Sequence, residues 1–496
     1  MSIRQTEPGL RSYLLSSGKM KKAELIFVPF PAPTHLVPTI EFAKLLLNRD
    51  DRISVTILLM KLPGFFVDEI TQSLTESRIQ LVDLPHVDPP PPDLLEKSFP
   101  AYFTAYVEIH IPHVRNIVSD IVSSRSDSDS ARIVGLVVDI MCVSMIDVSK
   151  ELDLPSYMFL ASNAGLLGLM LYLPSRHSKM SSEFHEADPE LLIPGFVNQV
   201  PPRVLPEALF NKDGGYAAYI KLAQKVREAK SIIVNTFADL EESMLSSFGD
   251  SRNPNPPVYL VGPVLQPEGF PNPNLDLVQC EKTMKWLDDQ PDSSVVFLCF
   301  GTAGSFGAPQ LKEMALGLEL SGLRFLWSVG LPRPNNEDPS SAHNTKPEDM
   351  LPDGFLGRIQ GKGMICGWAP QMEILGHKAI GGFVSHCGWN SILESLWHGV
   401  PIATWPLYAE QQLNAFRMVR ELGLAVDLRM DYRGNVDLVM ADEVERAVKD
   451  LMSDDNEARR KVKRMSEMAR IAVMDGGSSF NSVGLLIEDI LAAYKS

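Results

Sequence analysis

Runs of apolar residues alternate with amphipathic stretches along most of this chain. Glu24-Leu25-Ile26-Phe27-Val28-Pro29-Phe30 is almost continuously apolar, the pattern of a strand buried on both faces, and Val37 to Leu47 follows with apolar residues at helical spacing. Similar strand-like runs return at Ile53–Leu59, Gly135–Asp139 and Ser231–Asn235. Strands that alternate with helices predict α/β architecture built on a doubly wound parallel sheet. Between Asn253 and Asn274 the pattern breaks at Pro254, Pro256, Pro257, Pro263, Pro267, Pro271 and Pro273, a density that opposes both helix and central strand. It then restarts at Ser294–Phe300, which runs into Gly301-Thr302-Ala303-Gly304 and a helical stretch from Pro309 to Ser321.

Two Rossmann-like doubly wound domains are therefore predicted. The expected division is a disordered N-terminal extension at 1–20, a first domain at 21–252, a linker at 253–275, a second domain at 276–475, and a C-terminal helix at 476–496 packing back on the first. Residues 331–349, rich in Pro, Asn, Ser and charge, predict an exposed loop inside the second domain. A length of 496 residues is enough for two ordinary cores.

Charge narrows the partners. Lys and Arg number 46 against 62 Asp and Glu, and the formal charge of -16 opposes the counterion release that drives binding to nucleic acid or anionic membrane. A small anion remains possible, because the N–H groups at a helix N-terminus bind phosphate whatever the net charge. Cys142, Cys280, Cys299, Cys366 and Cys387 show no C-x-x-C spacing, so neither a disulfide framework nor a zinc site is suggested, and a reducing, cytoplasmic setting is expected. The first twenty residues contain no secretory apolar core. The longest apolar stretch, Ile133 to Val148, is interrupted by Asp139 and Asp147 and falls short of the ~20 apolar residues of a spanning helix, so no integral membrane association is expected. Asp127 and Asp129 form a D-x-D, but in a serine-rich run they read as a solvated loop rather than a metal site.

The chemistry concentrates between Trp368 and Gln411. After Trp368-Ala369-Pro370-Gln371 comes a strand, Ile380–Ser385, ending at His386; a helix is expected to begin near Asn390, with Asn390 and Ser391 available to cap it. Its free N–H groups and dipole would face an anion in the crevice beyond the strand, and His386 can add a donor to the same oxygens. In the other half His35 follows the first strand, where an imidazole is suited to take the proton of an acceptor hydroxyl. Asp139, a carboxylate at the end of an apolar run, could hold the other ring nitrogen and fix the tautomer, as in a Ser-His-Asp triad. Taken singly these residues have plainer explanations: a surface histidine, a helix-capping aspartate, core tryptophans at 368 and 389.

The 44 residues from Trp368 to Gln411 resemble the signature segment of plant secondary-product glycosyltransferases, the UDP-dependent enzymes of glycosyltransferase family 1. The resemblance extends to Ile233-Val234-Asn235-Thr236-Phe237, Val261-Gly262-Pro263 and Asp475-Gly476-Gly477-Ser478-Ser479. It implies a GT-B fold, two Rossmann-like domains facing each other across a cleft, and an inverting transfer of a sugar from a UDP-sugar to a small-molecule acceptor. On that resemblance Trp368 stacks on uracil and the backbone of Ala369 reads its edge, while Gln371 and Glu394 bond the ribose hydroxyls. His386, Asn390, Ser391 and Thr302 hold the diphosphate; Trp389, Tyr408, Glu410 and Gln411 surround the sugar; Ala409 and His35 face the acceptor; His35 and Asp139 are catalytic. A terminal Gln at 411 favours UDP-glucose. No metal or other cofactor and a monomer are expected.

Three positions depart from the family pattern: Thr34 stands where Gly is usual, Thr302 replaces Ser, and Ala161 replaces a Thr near the sugar, whose contact could pass to Ser162. A UDP-sugar epimerase or hydrolase would share the nucleotide site without an acceptor pocket, and a nucleotide-sugar sensor would need neither His35 nor Asp139. No G-x-G-x-x-G follows either first strand and no P-loop motif occurs, against a dehydrogenase or a P-loop kinase. The acceptor should be set by apolar loops at 84–106 and 178–211, which suggest a planar phenol such as a flavonoid, chalcone or phenylpropanoid, with a terpenoid alcohol as the alternative.

Overall fold

The buried runs read from the sequence become the central strands of two parallel sheets. The structure, a computed structural model, describes residues 22–62, 65, 67–72, 74–125, 131–245, 255–266, 276–330, 350–433 and 437–492. The Asp127–Asp129 pair, the 331–349 loop and the extension at 1–20 lie outside the described residues.

The first sheet contains β1 (Ala23–Val28), β2 (Ile53–Leu59), β3 (Ile79–Asp83), β4 (Arg132–Asp139), β5 (Ser156–Leu160), β6 (Ser231–Val234) and β7 (Val258–Leu260), in the order β3-β2-β1-β4-β5-β6-β7. The second contains β8 (Val295–Cys299), β9 (Arg324–Ser328), β10 (Gly363–Cys366), β11 (Ile380–Ser385), β12 (Ile402–Thr404) and β13 (Ala425–Asp427), in the order β10-β9-β8-β11-β12-β13. Every neighbouring pair is parallel, so crossover helices cover both faces of each sheet and the inner strands are apolar throughout. This is the GT-B arrangement. Each sheet reverses its strand order once, between β1 and β4 in the first and between β8 and β11 in the second. At such reversals the strand ends open a crevice where ligands bind in α/β proteins.

Two local differences from the sequence reading have physical causes. The proline-rich stretch is not all linker, because Val258–Leu260 forms β7; as the outermost strand it pairs on one side only, and Pro256 and Pro257 precede the paired residues. The helix after β1 begins at Pro33, four residues before Val37, and runs to Arg49. Proline is well suited to a helix start, where its missing N–H is not needed. Pro38, further along the same helix, has the opposite effect: it leaves the Thr34 carbonyl without its intrahelical donor.

The lobes also exchange anchors. Phe237 and Leu240 pack in a core cluster of the second lobe, and Leu413 and Phe416 pack in one of the first. The helix Ser478–Ala492 lies on the first lobe, with Val483, Leu486, Ile487 and Ile490 among β1 and β2 residues and Asp489 3.0 Å from Lys230. Burial of this kind is worth about 1.5–3 kcal/mol per large apolar side chain. The cleft is therefore held by packing as well as by polar contacts.

Candidate active site

In the first lobe the chain leaves β1 and turns at once into the helix Pro33–Arg49, which puts His35 in the first helical turn at the mouth of the crevice. Asp139 is the last residue of β4, the strand beside it. Its Oδ2 lies 2.9 Å from His35 Nδ1, while its Oδ1 accepts from the Met141 N–H at 2.8 Å and caps the turn Ile140–Met145. Asp139 thus both caps and orients. A carboxylate can only accept, so Nδ1 carries the proton and Nε2 presents its lone pair. The imidazole keeps 27% of its surface open, whereas the Asp139 side chain is fully buried. Burial pulls the His35 pKa down; the charge and hydrogen bond of Asp139, with a smaller push from Glu410, outweigh it and raise the group above its ordinary value.

In the second lobe Gly301 and Thr302 follow β8 and His386 follows β11, at the matching reversal. Gly301 has φ +74°, and a Cβ there would come 2.7 Å from His386 Nε2; at Gly388 the distance would be 2.5 Å. The ring is confined between two glycines. Burial lowers its pKa to about 4, against a smaller upward push from the Cys299 backbone, so His386 is neutral and offers an N–H rather than a charge. Its Nδ1 is buried with no protein hydrogen-bond partner. Thr302 is exposed at the rim.

The helix expected near Asn390 spans Trp389–His398, and its cap position falls on Gly388 with no side-chain cap. Asn390 and Ser391 are therefore not caps. Asn390 Nδ2 donates across the cleft to the Thr34 carbonyl at 3.0 Å, the one that Pro38 leaves free, and Ser391 Oγ accepts from Gln371 Nε2 at 2.9 Å. The same Gln371 Nε2 donates to Glu394 Oε2 at 2.6 Å. Burial raises Glu394 to about 7, partly offset by that bond. Trp368 is half-buried just before this group and Ala369 is buried.

Tyr408 and Ala409 lie exposed on the loop before the helix Gln411–Phe416, and Ala409 takes φ +55°. Gln411 Oε1 accepts from the Leu407 and Tyr408 N–H groups at 2.9 and 3.0 Å and so shapes its own loop. Glu410 accepts from Ser162 Oγ at 3.1 Å, a contact between lobes. Trp389 is placed differently from the rest: it is buried, and its indole N–H donates to the Asn235 carbonyl at 2.7 Å, in the packing between lobes.

The structure thus brings His35 to the 368–411 segment, with Thr34 bonded to Asn390 and Glu410 close enough to raise the imidazole. Sequence reasoning missed Asn163 and Asn414, which bond each other across the cleft at 2.6 Å. The signal for Asn414 was its position three residues beyond Gln411, on the same helical face. Among the described residues no group of three or more His, Cys, Asp or Glu could hold a metal ion, and no helix is long and apolar enough to cross a membrane.

Comparison with known proteins agrees with this geometry. A family model described as UDP-glucoronosyl and UDP-glucosyl transferase matches residues 280–471. UDP-glycosyltransferase 71K1 of Malus domestica is 56% identical over 481 residues, covering 95% of this chain and 99% of the relative. A flavonol 3-O-glucosyltransferase of Arabidopsis thaliana is 50% identical over 483 residues, covering 95% and 98%. The crystal structure of a Medicago truncatula glycosyltransferase complexed with UDP-glucose superposes with a TM-score of 0.87 at 52% identity, covering 95% of this chain and 98% of that one. A Phytolacca americana glycosyltransferase complexed with UDP-2-fluoro-glucose and pterostilbene superposes at 0.79 with 32% identity, covering 94% and 99%. With more than half of its residues shared across almost the whole of one relative, and the same two-sheet architecture in solved enzymes, this chain belongs to the family of UDP-glycosyltransferases.

Proposed function

We propose that the enzyme transfers glucose from UDP-glucose to a hydroxyl of a small lipophilic acceptor, most favourably a planar phenol, and forms a β-O-glucoside. The observation that carries this reading is the His35–Asp139 pair, 2.9 Å apart, facing Glu410 across the cleft. His35 Nε2 takes the acceptor proton as the hydroxyl oxygen bonds to the anomeric carbon. The bond from that carbon to the UDP oxygen breaks, and UDP leaves with the electron pair. Attack from the face opposite UDP turns an α-linked donor into a β-product. Asp139 stabilises the imidazolium through Nδ1–H.

The donor reading distributes the remaining residues. Trp368 stacks on uracil beside the Ala369 backbone, and the Gln371–Glu394 pair takes the ribose hydroxyls, since two carboxylate oxygens suit a vicinal diol. The open N-terminus of the helix Trp389–His398, with His386, Asn390, Ser391 and Thr302, receives the diphosphate and the charge that grows on it. Tyr408, Glu410 and Gln411 surround the sugar, and Ala409 faces the acceptor, while Trp389 stays in the packing between the lobes. Glucose is favoured by Gln411 and by the UDP-glucose in the Medicago complex.

An aromatic wall beside His35 supports a phenolic acceptor. The Phe30 ring is 5.4 Å from His35 and 5.1 Å from Phe103, and Phe99, 60% exposed, stands 4.2 Å from Phe103. Phe30 and Phe103 are themselves buried, so of these three rings it is Phe99 that is open to meet a planar acceptor edge-to-face. The flavonol specificity named for the Arabidopsis relative and the pterostilbene in the Phytolacca complex point the same way. Incubation with UDP-glucose and a panel of flavonoids, stilbenes and terpenoid alcohols, read by mass spectrometry, is expected to give phenolic glucosides; free glucose alone would overturn the reading in favour of hydrolysis.

A further inference from the structure

The helix that starts at Gln411 does not finish as an α-helix. After Gln411–Phe416 it passes into a π-helical turn at Arg417–Glu421, where the Leu422 N–H donates to the Arg417 carbonyl at 3.0 Å. Such turns are rare and recur at functional sites. Here the element is pinned to the first lobe along its length. Asn414 accepts from Asn163 and donates to the Cys387 carbonyl at 3.0 Å, beside His386. The Phe416 ring lies 6.3 Å from that of Phe196, and a Cβ on Gly165 would fall 3.1 Å from Phe196 and 3.3 Å from the Arg417 stem.

Two charged contacts close the series. Buried Arg417 donates through Nη1 to Glu241 Oε1 at 2.9 Å, and through Nη2 to Glu241 Oε2 and to the Leu240 carbonyl. Glu421 Oε2 accepts from the Val197 N–H at 2.8 Å, and its Oε1 accepts from the Asn198 N–H at 2.9 Å and from Asn198 Nδ2 at 2.7 Å. One element therefore carries the sugar-side residues at its start and a clamp on the first lobe at its end.

We propose that Glu421 is a positioning residue for transfer: it holds the far end of this element so that Glu410 and Gln411, at the near end, keep a fixed distance from His35. The inference rests on the glucosyl-transfer reading above. Arg417–Glu241 is the pivot, since a buried pair cannot lose one partner without stranding a charge. Glu421 is the removable part, half-exposed and bonded mainly to loop backbone. With the clamp lost the element is held by the Asn163–Asn414 and Arg417–Glu241 bonds and can tilt slightly about them, and misplacement near the reacting atoms on the order of 1 Å can cost up to about a hundredfold in rate.

The test compares Glu421→Ala and Glu421→Gln with wild type in melting temperature, UDP affinity, UDP-glucose affinity and turnover of a phenolic acceptor. In Glu421→Ala we expect turnover to fall by roughly tenfold and UDP-glucose to lose part of its advantage over UDP, with UDP affinity and melting temperature unchanged. Glu421→Gln keeps one oxygen for Asn198 but turns a donor toward the Val197 N–H, so it should fall between the two. Wild-type turnover in Glu421→Ala, or equal losses in UDP affinity and turnover, would overturn the positioning role alone. A wild-type enzyme that glucosylated no acceptor would remove the functional reading together with this inference.

Discussion

His35 and His386 both stand where a sheet reverses its strand order, His35 in the helix that follows β1 and His386 directly after β11, yet their surroundings push them in opposite directions. Next to His35 a buried carboxylate raises the imidazole and fixes its tautomer. Around His386 two glycines let backbone close in, no carboxylate is hydrogen-bonded, and burial lowers it to about 4. One imidazole is raised and held in a single tautomer, and the other is kept neutral. The fold supplies the two places; the neighbour decides the chemistry.

Breaking the first half of this contrast should have the largest effect. His35→Ala is expected to cost about 10⁴ in turnover with UDP affinity nearly unchanged, checked by steady-state kinetics beside calorimetry. Asp139→Asn removes the charge that raises His35 while keeping an oxygen for Met141, and should cost about 10³. Its rate profile gives a second readout. With His35 as the proposed base, the rate should rise with pH through the His35 pKa, and losing Asp139 should move that limb to lower pH.

The second half is open to a steric test. Gly388 has an ordinary φ of -61°, so Gly388→Ala meets no backbone strain, only the His386 ring at 2.5 Å. UDP affinity should fall by about tenfold and stability by about 1–3 kcal/mol, read by calorimetry and thermal melting. The smallest expected effect sharpens the contrast through pH. Glu394, raised to about 7 by burial, should give up its proton when ribose hydroxyls donate to it. UDP affinity is then full above pH 7 and declines as pH falls through that value, by up to about a factor of ten per pH unit. His386 adds nothing until about 4. Glu394→Gln should flatten the curve; a curve unchanged by that substitution would remove Glu394 from the nucleotide site.

What the sequence made legible follows the range of the interactions. The strands β2 and β11 match the apolar runs residue for residue, because a strand buried on both faces leaves a mark that needs no partner to be read. The motif between Trp368 and Gln411 is local in the same sense. His35 and Asp139 were pairable at a separation of 104 residues only because chemistry demanded a partner for each. No such demand marked Arg417 and Glu241, separated by 176 residues, whose encounter depends on how two finished lobes dock. Gly388 was passed over as a cap because Asn390 and Ser391 had the side chains for it; both turn instead to Thr34 and Gln371.

Pro38 gives the cleft one further property. A missing rung in the helix that bears His35 becomes a landing for Asn390 from the opposite wall, at a site that water can also reach. A single exposed bond of this sort is worth about 1 kcal/mol or less, so solvent can take its place whenever the walls part. The Asn390 contact is thus the weak part of the join between the two walls, and the apolar packing behind it is the strong part.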